Sequence, residues 1–399
     1  MKAKLGIAML LGWTLVVTIL RAVRLPNDFS KSHWLVDYRF GFVKRGLVGT
    51  LVSLATTTLH TRPTDQLIAI LSSVQFGIFC VVLLGVGLRV IHRSGWSITA
   101  ILTVLVFLSS PFVVMSAHLV GYYDNIIIVL AVISLALLLR GRRVWAASVQ
   151  AIAILVHENA VLVCVPVFCL GWLLVESQHR QSEGARWQRW PLFLPVATFL
   201  ILIVSQHFAS RHLERHLTTY LSSYPFIERT IRDVRVPHWI TITLYDSYLL
   251  HQGNVTGRLV SNAMLGLVFP SMAAILALTF DAYRLRALSV RSIVLLGVCL
   301  APQLMQIVAW DTARIWTYSI LSSFLALWFY AEAFPERRTS AQFVRFIGLL
   351  ALFLNAVELT PLMDGLKDQF ELQTRVLLYA PVLGAIVALM VLEESSLSP

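Results

Sequence analysis

Charge is what this 399-residue sequence has least of: only 13% of its residues are Asp, Glu, Lys or Arg, about half the share of an ordinary soluble domain. That shortage excludes a water-soluble globule. Cysteine is scarce too. Cys80, Cys164, Cys169 and Cys299 all fall inside apolar runs and in no zinc or redox spacing, which leaves them as small buried hydrophobes. No internal repeat, G-x-G-x-x-G or P-loop occurs, so nothing points to ATP-driven chemistry. The H-E-x-x-H signature fails because Val161 stands where a second His would follow His157 and Glu158. No cofactor is assigned, and a divalent metal is the one candidate the carboxylates would suit.

What the sequence has in abundance is apolar surface, with 57% hydrophobic residues and a mean hydropathy of +0.75. Uncharged runs near the roughly 20 residues needed to span a bilayer recur along the chain. They predict an all-α, polytopic transmembrane bundle forming a single membrane domain over 1–399. Helices are expected at about 5–22, 66–88, 97–115, 122–139, 190–208, 262–280, 291–309, 315–333, 343–362 and 374–392. Lys2 and Lys4 precede the first run, but no small-residue cleavage site follows it, so it is expected to stay as a helix.

The stretch 144–175 is ambiguous. As one helix it would run about 48 Å at 1.5 Å per residue, far beyond a hydrocarbon core of about 30 Å, with His157 and Glu158 near its middle. Two short helices broken at His157-Glu158-Asn159 fit better, and charge decides between the two readings. With the break there are twelve helices and both termini inside. Sixteen of the 32 Lys and Arg then fall in inner segments, against three (Arg314, Lys367 and Arg375) in the short outer loops. The rest lie in two long outer segments, at about 23–65 and 209–261. Without the break, the clusters at 284–291 and 337–345 would move outside. The net charge of +11 therefore reads as orientation and lipid-phosphate contact, not as a nucleic-acid surface.

This topology gathers Asp37, Asp124, His157, Glu158, Asp311, Arg314 and Asp364 on the outer face. Ionisable groups near membrane depth are costly, so a one-sided cluster marks a functional site. The first outer loop, Trp34 to Gly49, surrounds the carboxylate of Asp37 with Arg39, Lys44, Arg45, three glycines and several aromatics. Cations and closely approaching backbone suit a lipid-linked phosphate. The Ser- and Thr-rich run 47–59 is too short to span and is placed along the membrane surface. Asp124, in Gly121-Tyr-Tyr-Asp-Asn125, either caps the fourth helix or faces a substrate. Asp311 and Arg314, three apart, share a helical face and either pair with each other or bind an anion. The loop 209–261, rich in Arg and His, is expected to cap the outer cavity.

About a dozen helices, a first outer loop with a carboxylate followed by a surface helix, short paired helices and ionisable residues facing outward together resemble the GT-C class of membrane glycosyltransferases. The likeness is one of organisation, not of a diagnostic string. It implies an enzyme of the cell inner membrane that moves a hexosyl or related group from a polyprenyl-phosphate or diphosphate carrier to an acceptor on the outer face. Its partners would then be membrane lipid and the polyprenyl-linked sugar. A first-loop carboxylate would act as base, and Asp37 matches that position, with Asp124 sharing the role or positioning the acceptor. Arg39, Lys44, Arg45 and Arg314 would hold the phosphate, with His157, Glu158 and Asp311 lining the same cavity. A surface-polysaccharide polymerase, a lipid-linked sugar flippase and a structural membrane subunit remain the alternatives.

Overall fold

The computed structural model describes residues 2–183, 189–208, 211–286, 289–309, 311–334, 341–360, 362, 366 and 368–397. Asp364, Lys367 and several cations of the expected inner loops lie outside the described residues. Every regular element among those described is helical. The chain opens with α1 (Lys2–Leu20). The segment after it folds as α2 (Asp28–His33), a 3-10 turn at Tyr38–Phe40 and α3 (Gly46–Thr58). Next come α4 (Asp65–Arg93), α5 (Ile98–Leu108), α6 (Pro111–His118), α7 (Asp124–Leu139), α8 (Arg143–Val156), α9 (Ala160–Val163), α10 (Val165–Glu183) and α11 (Phe193–His207). The segment after α11 is five short helices: α12 (Arg211–Leu221), α13 (Glu228–Val234), α14 (Val236–Thr241), α15 (Leu244–His251) and α16 (Val255–Leu259). The chain closes with α17 (Asn262–Ala282), α18 (Val290–Leu300), α19 (Thr312–Ala333), α20 (Gln342–Val357) and α21 (Leu372–Leu397).

Among the described residues, seven helical stretches are long and apolar enough to cross a membrane, which marks a multi-pass membrane protein. That is a coarser result than the expected twelve crossings. The other five runs fold as helices as well. Asp124–Leu139, Arg143–Val156 and Gln342–Val357 are shorter, and α19 is diluted by its Ser, Thr and Tyr residues. The break at 157–159 is present: His157 leaves α8 in an extended conformation (φ −156°, ψ 127°) before α9 begins. Helix α3 is about 20 Å long at 1.5 Å per residue, short of a bilayer core. It buries Val48 and Val52 and exposes Leu51 and Leu54, the division a surface helix needs.

Local chemistry explains where these helices start and bend. Asn27, Thr64 and Ser97 each accept a backbone N–H as N-caps of α2, α4 and α5. The single run expected at 97–115 is split, because Pro111 opens α6 after an extended Ser110. The split leaves the Val106 carbonyl without a helical partner. Asn355 of α20 donates to it (3.0 Å) and to Ser109 Oγ (3.0 Å), while its own Oδ1 accepts from Ser271 (2.7 Å). Helices α5, α6 and α19 form the buried centre, where Phe107 and Phe324 stack at 3.7 Å. Gly49 lets α3 close on the first loop, since a Cβ there would lie 1.9 Å from the Val36 carbonyl oxygen.

Candidate functional site

The turns before α3, between α8 and α9, and before α19 converge on a cavity of about 980 Å³. One part of its wall is polar: Asp28 and His33 from α2, Lys44 and Arg45 before α3, His157 and Glu158 from the helix break, and Asp311 and Arg314 at the start of α19. The lining also includes apolar side chains: Phe199, Leu202 and Ile203 of α11, and Met305, Val308 and Ala309 before α19. The segment of short helices α12 to α16 contributes Val234, Trp239, Ile242, Leu244 and His251.

Two arginines organise the polar wall. Arg45 opens α3 from the left-handed backbone region (φ 62°), a conformation that disfavours any side chain with a Cβ. Its fork grips Glu158, with Nη2 donating to Oε1 (2.7 Å) and Nε to Oε2 (3.3 Å). Nη1 lies 3.3 Å from Nε2 of His33. Arginine only donates, so that ring nitrogen accepts and the His33 proton is assigned to Nδ1. Arg314 sits between two carboxylates, 2.8 Å from Asp311 Oδ2 and 3.3 Å from Asp124 Oδ2. The second Asp124 oxygen accepts from the Tyr318 hydroxyl at 2.6 Å. Arg314 also lies over the Tyr122 ring at 6.0 Å, a cation–π distance.

The remaining contacts fix these groups in place. Gly121 adopts φ 91° in the turn before α7, where its carbonyl accepts from Trp34 Nε1 (2.8 Å). Tyr123 donates its hydroxyl to the His33 carbonyl (2.8 Å). The Asn159 N–H donates to Nδ1 of His157 (3.1 Å), which assigns the neutral ring's proton to Nε2. Lys44 Nζ donates to the Ile242 carbonyl (2.9 Å), joining the first loop to the cap.

Burial and neighbouring charge set the protonation of the loop groups. Burial pushes the Lys44 ammonium down to about 8, with Arg45 adding to the shift and Glu158 opposing it. Burial and then Arg45 hold His33 well below the usual imidazole range. Burial takes His157 down to about 4 even though Glu158 favours its charged form. At Glu158 burial works upward, but Arg45, His157 and Lys44 together hold the carboxyl well below its usual range. The polar wall at neutral pH is thus two neutral imidazoles among ion-paired arginines and carboxylates.

Of the residues singled out in the sequence, Lys44, Arg45, His157, Glu158, Asp311 and Arg314 meet at this cavity. Asp124 stands directly behind Arg314 instead of lining it. Asp37 and Arg39 stand elsewhere. The Asp37 carboxylate, 1% exposed, caps the 3-10 turn and takes Arg39 in a close pair (2.6 Å), and Arg39 in turn donates to the Tyr220 hydroxyl of α12 (2.8 Å). Asp37 therefore ties the first loop to α12 through Arg39 and does not line this cavity. Asp28, His33 and Tyr318 were missed. Tyr318 had a signal, since it lies one helical turn beyond Arg314 on the same face. His33 sits in a six-residue helix that has no hydrophobic period to reveal it. Among the described residues no group of three His, Cys, Asp or Glu side chains converges as a metal site. Compared with protein-family models, curated proteins and solved structures, the chain matches none of them.

Proposed function

We propose that the chain is a GT-C-like membrane glycosyltransferase that takes a sugar from a polyprenyl-phosphate or diphosphate carrier at the outer face of the cytoplasmic membrane. The observation that carries this reading is that one cavity is lined both by apolar side chains and by the largely buried Lys44, Arg45 and Arg314 beside carboxylates. An amphiphile with a phosphate head and a long apolar chain fits both parts at once. Transfer needs a proton acceptor near the attacking hydroxyl and cations aimed at the departing phosphate. The cavity offers both, and ATP is not required, because the carrier phosphate is the leaving group.

In this arrangement all twelve apolar runs cross the membrane, both termini lie in the cytoplasm, and the cavity opens outward. The ionisable groups at this cavity gather at one end of the bundle, which favours surface chemistry over a pathway through the bundle, as a flippase would need. A polymerase of surface polysaccharide would use the same groups and differs only in the size of the transferred sugar. The test is release of the free carrier phosphate from a panel of polyprenyl-linked sugars by the purified protein in lipid nanodiscs. Release that disappears in Arg45→Gln and Arg314→Gln is expected. Wild-type rates in both variants would refute the assignment.

A further inference from the structure

Several carboxylates stand near the cavity, and most are already committed. Asp37 holds Arg39, Asp124 is shared between Tyr318 and Arg314, and Asp311 closes on Arg314. Asp28 is half exposed and paired with Lys31. Glu158 differs from these. It projects from a break between helices, lines the cavity, and its one strong partner is an arginine that lines the same cavity. That arginine is held independently of it, by the His33 ring on one side and by the backbone at the head of α3 on the other.

An arginine fork accepts a phosphate in the same bidentate geometry as a carboxylate. We propose that the Arg45–Glu158 pair is exchanged by substrate: an arriving phosphate takes over the Arg45 fork, and the released Glu158 carboxylate becomes the base that accepts the proton of the acceptor hydroxyl. This inference rests on the glycosyl-transfer reading above. In the step, the acceptor oxygen forms its bond to the anomeric carbon while its proton passes to Glu158. The bond from that carbon to the carrier phosphate breaks, and its electron pair leaves on the phosphate, beside Arg45. Before exchange Glu158 is too strongly held by Arg45 to take a proton. After exchange it has lost that cation and gained a negative neighbour, and both changes raise its proton affinity. The donor must therefore bind before the acceptor can be activated. His33 keeps the fork aimed during the exchange, and Lys44 next to Arg45 supplies a second positive charge to the phosphate.

The exchange makes an unusual prediction. Glu158→Gln removes the competitor for Arg45, so farnesyl phosphate should bind the nanodisc-embedded protein at least about tenfold more tightly than wild type, while transfer falls by about a hundredfold or more. Arg45→Gln should weaken farnesyl phosphate, and the double variant should bind no better than Arg45→Gln alone. A folded Glu158→Gln protein that binds the probe no more tightly than wild type overturns the exchange. Wild-type transfer by that variant overturns the base assignment. Should the Gln variant not fold, Glu158→Asp, which shortens the pair but keeps its charge, must still show a smaller tightening. If wild type releases no carrier phosphate from any donor while Glu158→Gln still tightens the probe, the glycosyl-transfer reading falls and the exchange stands.

Discussion

The two ends of the bundle handle charge in opposite ways. At the end carrying the turns after α4, α10 and α19, cations lie outside and carboxylates beneath them. Arg89 and Arg93, each about half exposed (48% and 45%), share Glu332, which is 6% exposed. Arg189 likewise covers Glu176 at 2.5 Å; Arg345, itself buried beside Glu393, is the exception at this end. At the cavity end the cations are inside. Arg45 and Arg314 are 15% and 13% exposed, and Lys44 is 8% exposed. Water and lipid headgroups can solvate the first set, so its pairs contribute little and the charges serve orientation. The second set has given up that solvation and is held by opposing carboxylates and ring nitrogens, which is the arrangement an anionic ligand can exploit.

The sharpest way to break this comparison is to remove one cation from each end. Arg314→Met strands Asp124 and Asp311 without their cation and should destabilise the protein by about 3–5 kcal/mol. Arg89→Gln leaves Arg93 on Glu332 and should change stability by less than about 1 kcal/mol. Denaturant unfolding in micelles measures both, and equal effects would abolish the distinction between the ends.

A smaller effect separates Asp37 from the cavity carboxylates. Asn caps a helical turn as well as Asp does, so Asp37→Asn should loosen the tie to Arg39 and Tyr220 while leaving most of the transfer rate. A loss as deep as that expected for Glu158→Gln, measured in the same release assay, would return the base role to the first loop.

The smallest effect is a pH dependence with two signs. Burial holds the Lys44 ammonium down at about 8 in the folded protein, below the usual lysine value of 10.5. The unfolded chain binds that proton more readily, so stability should rise with pH between these values. Phosphate affinity should fall over the same rise, as the ammonium loses its charge. Lys44→Met should flatten both trends, and titration of farnesyl phosphate binding from pH 7 to 10 checks the second.

Much of the fold was legible because apolar run length is a strong signal in a membrane protein. Even the break at His157-Glu158-Asn159 followed from helix length and loop charge. The kink at Ser110-Pro111 was missed, because an apolar run conceals a split whose orphan carbonyl is satisfied by Asn355, far away in sequence. The candidate site was legible as a list of outward residues, not as a set of contacts. In sequence Asp37 stands among arginines and aromatic residues and looks the stronger candidate, whereas Glu158 interrupts an apolar run beside only His157 and Asn159. What separates them is that the partner of Asp37 lies two residues away and closes a local turn, whereas the partner of Glu158 comes from a distant loop and meets it across a cavity.

The most direct test compares carrier-phosphate release by wild type, Arg45→Gln and Asp37→Asn in nanodiscs loaded with polyprenyl-linked sugars. Release by wild type and Asp37→Asn, with loss in Arg45→Gln, is the predicted result. Release that survives in Arg45→Gln and vanishes in Asp37→Asn would contradict the assignment of the chemistry to this cavity.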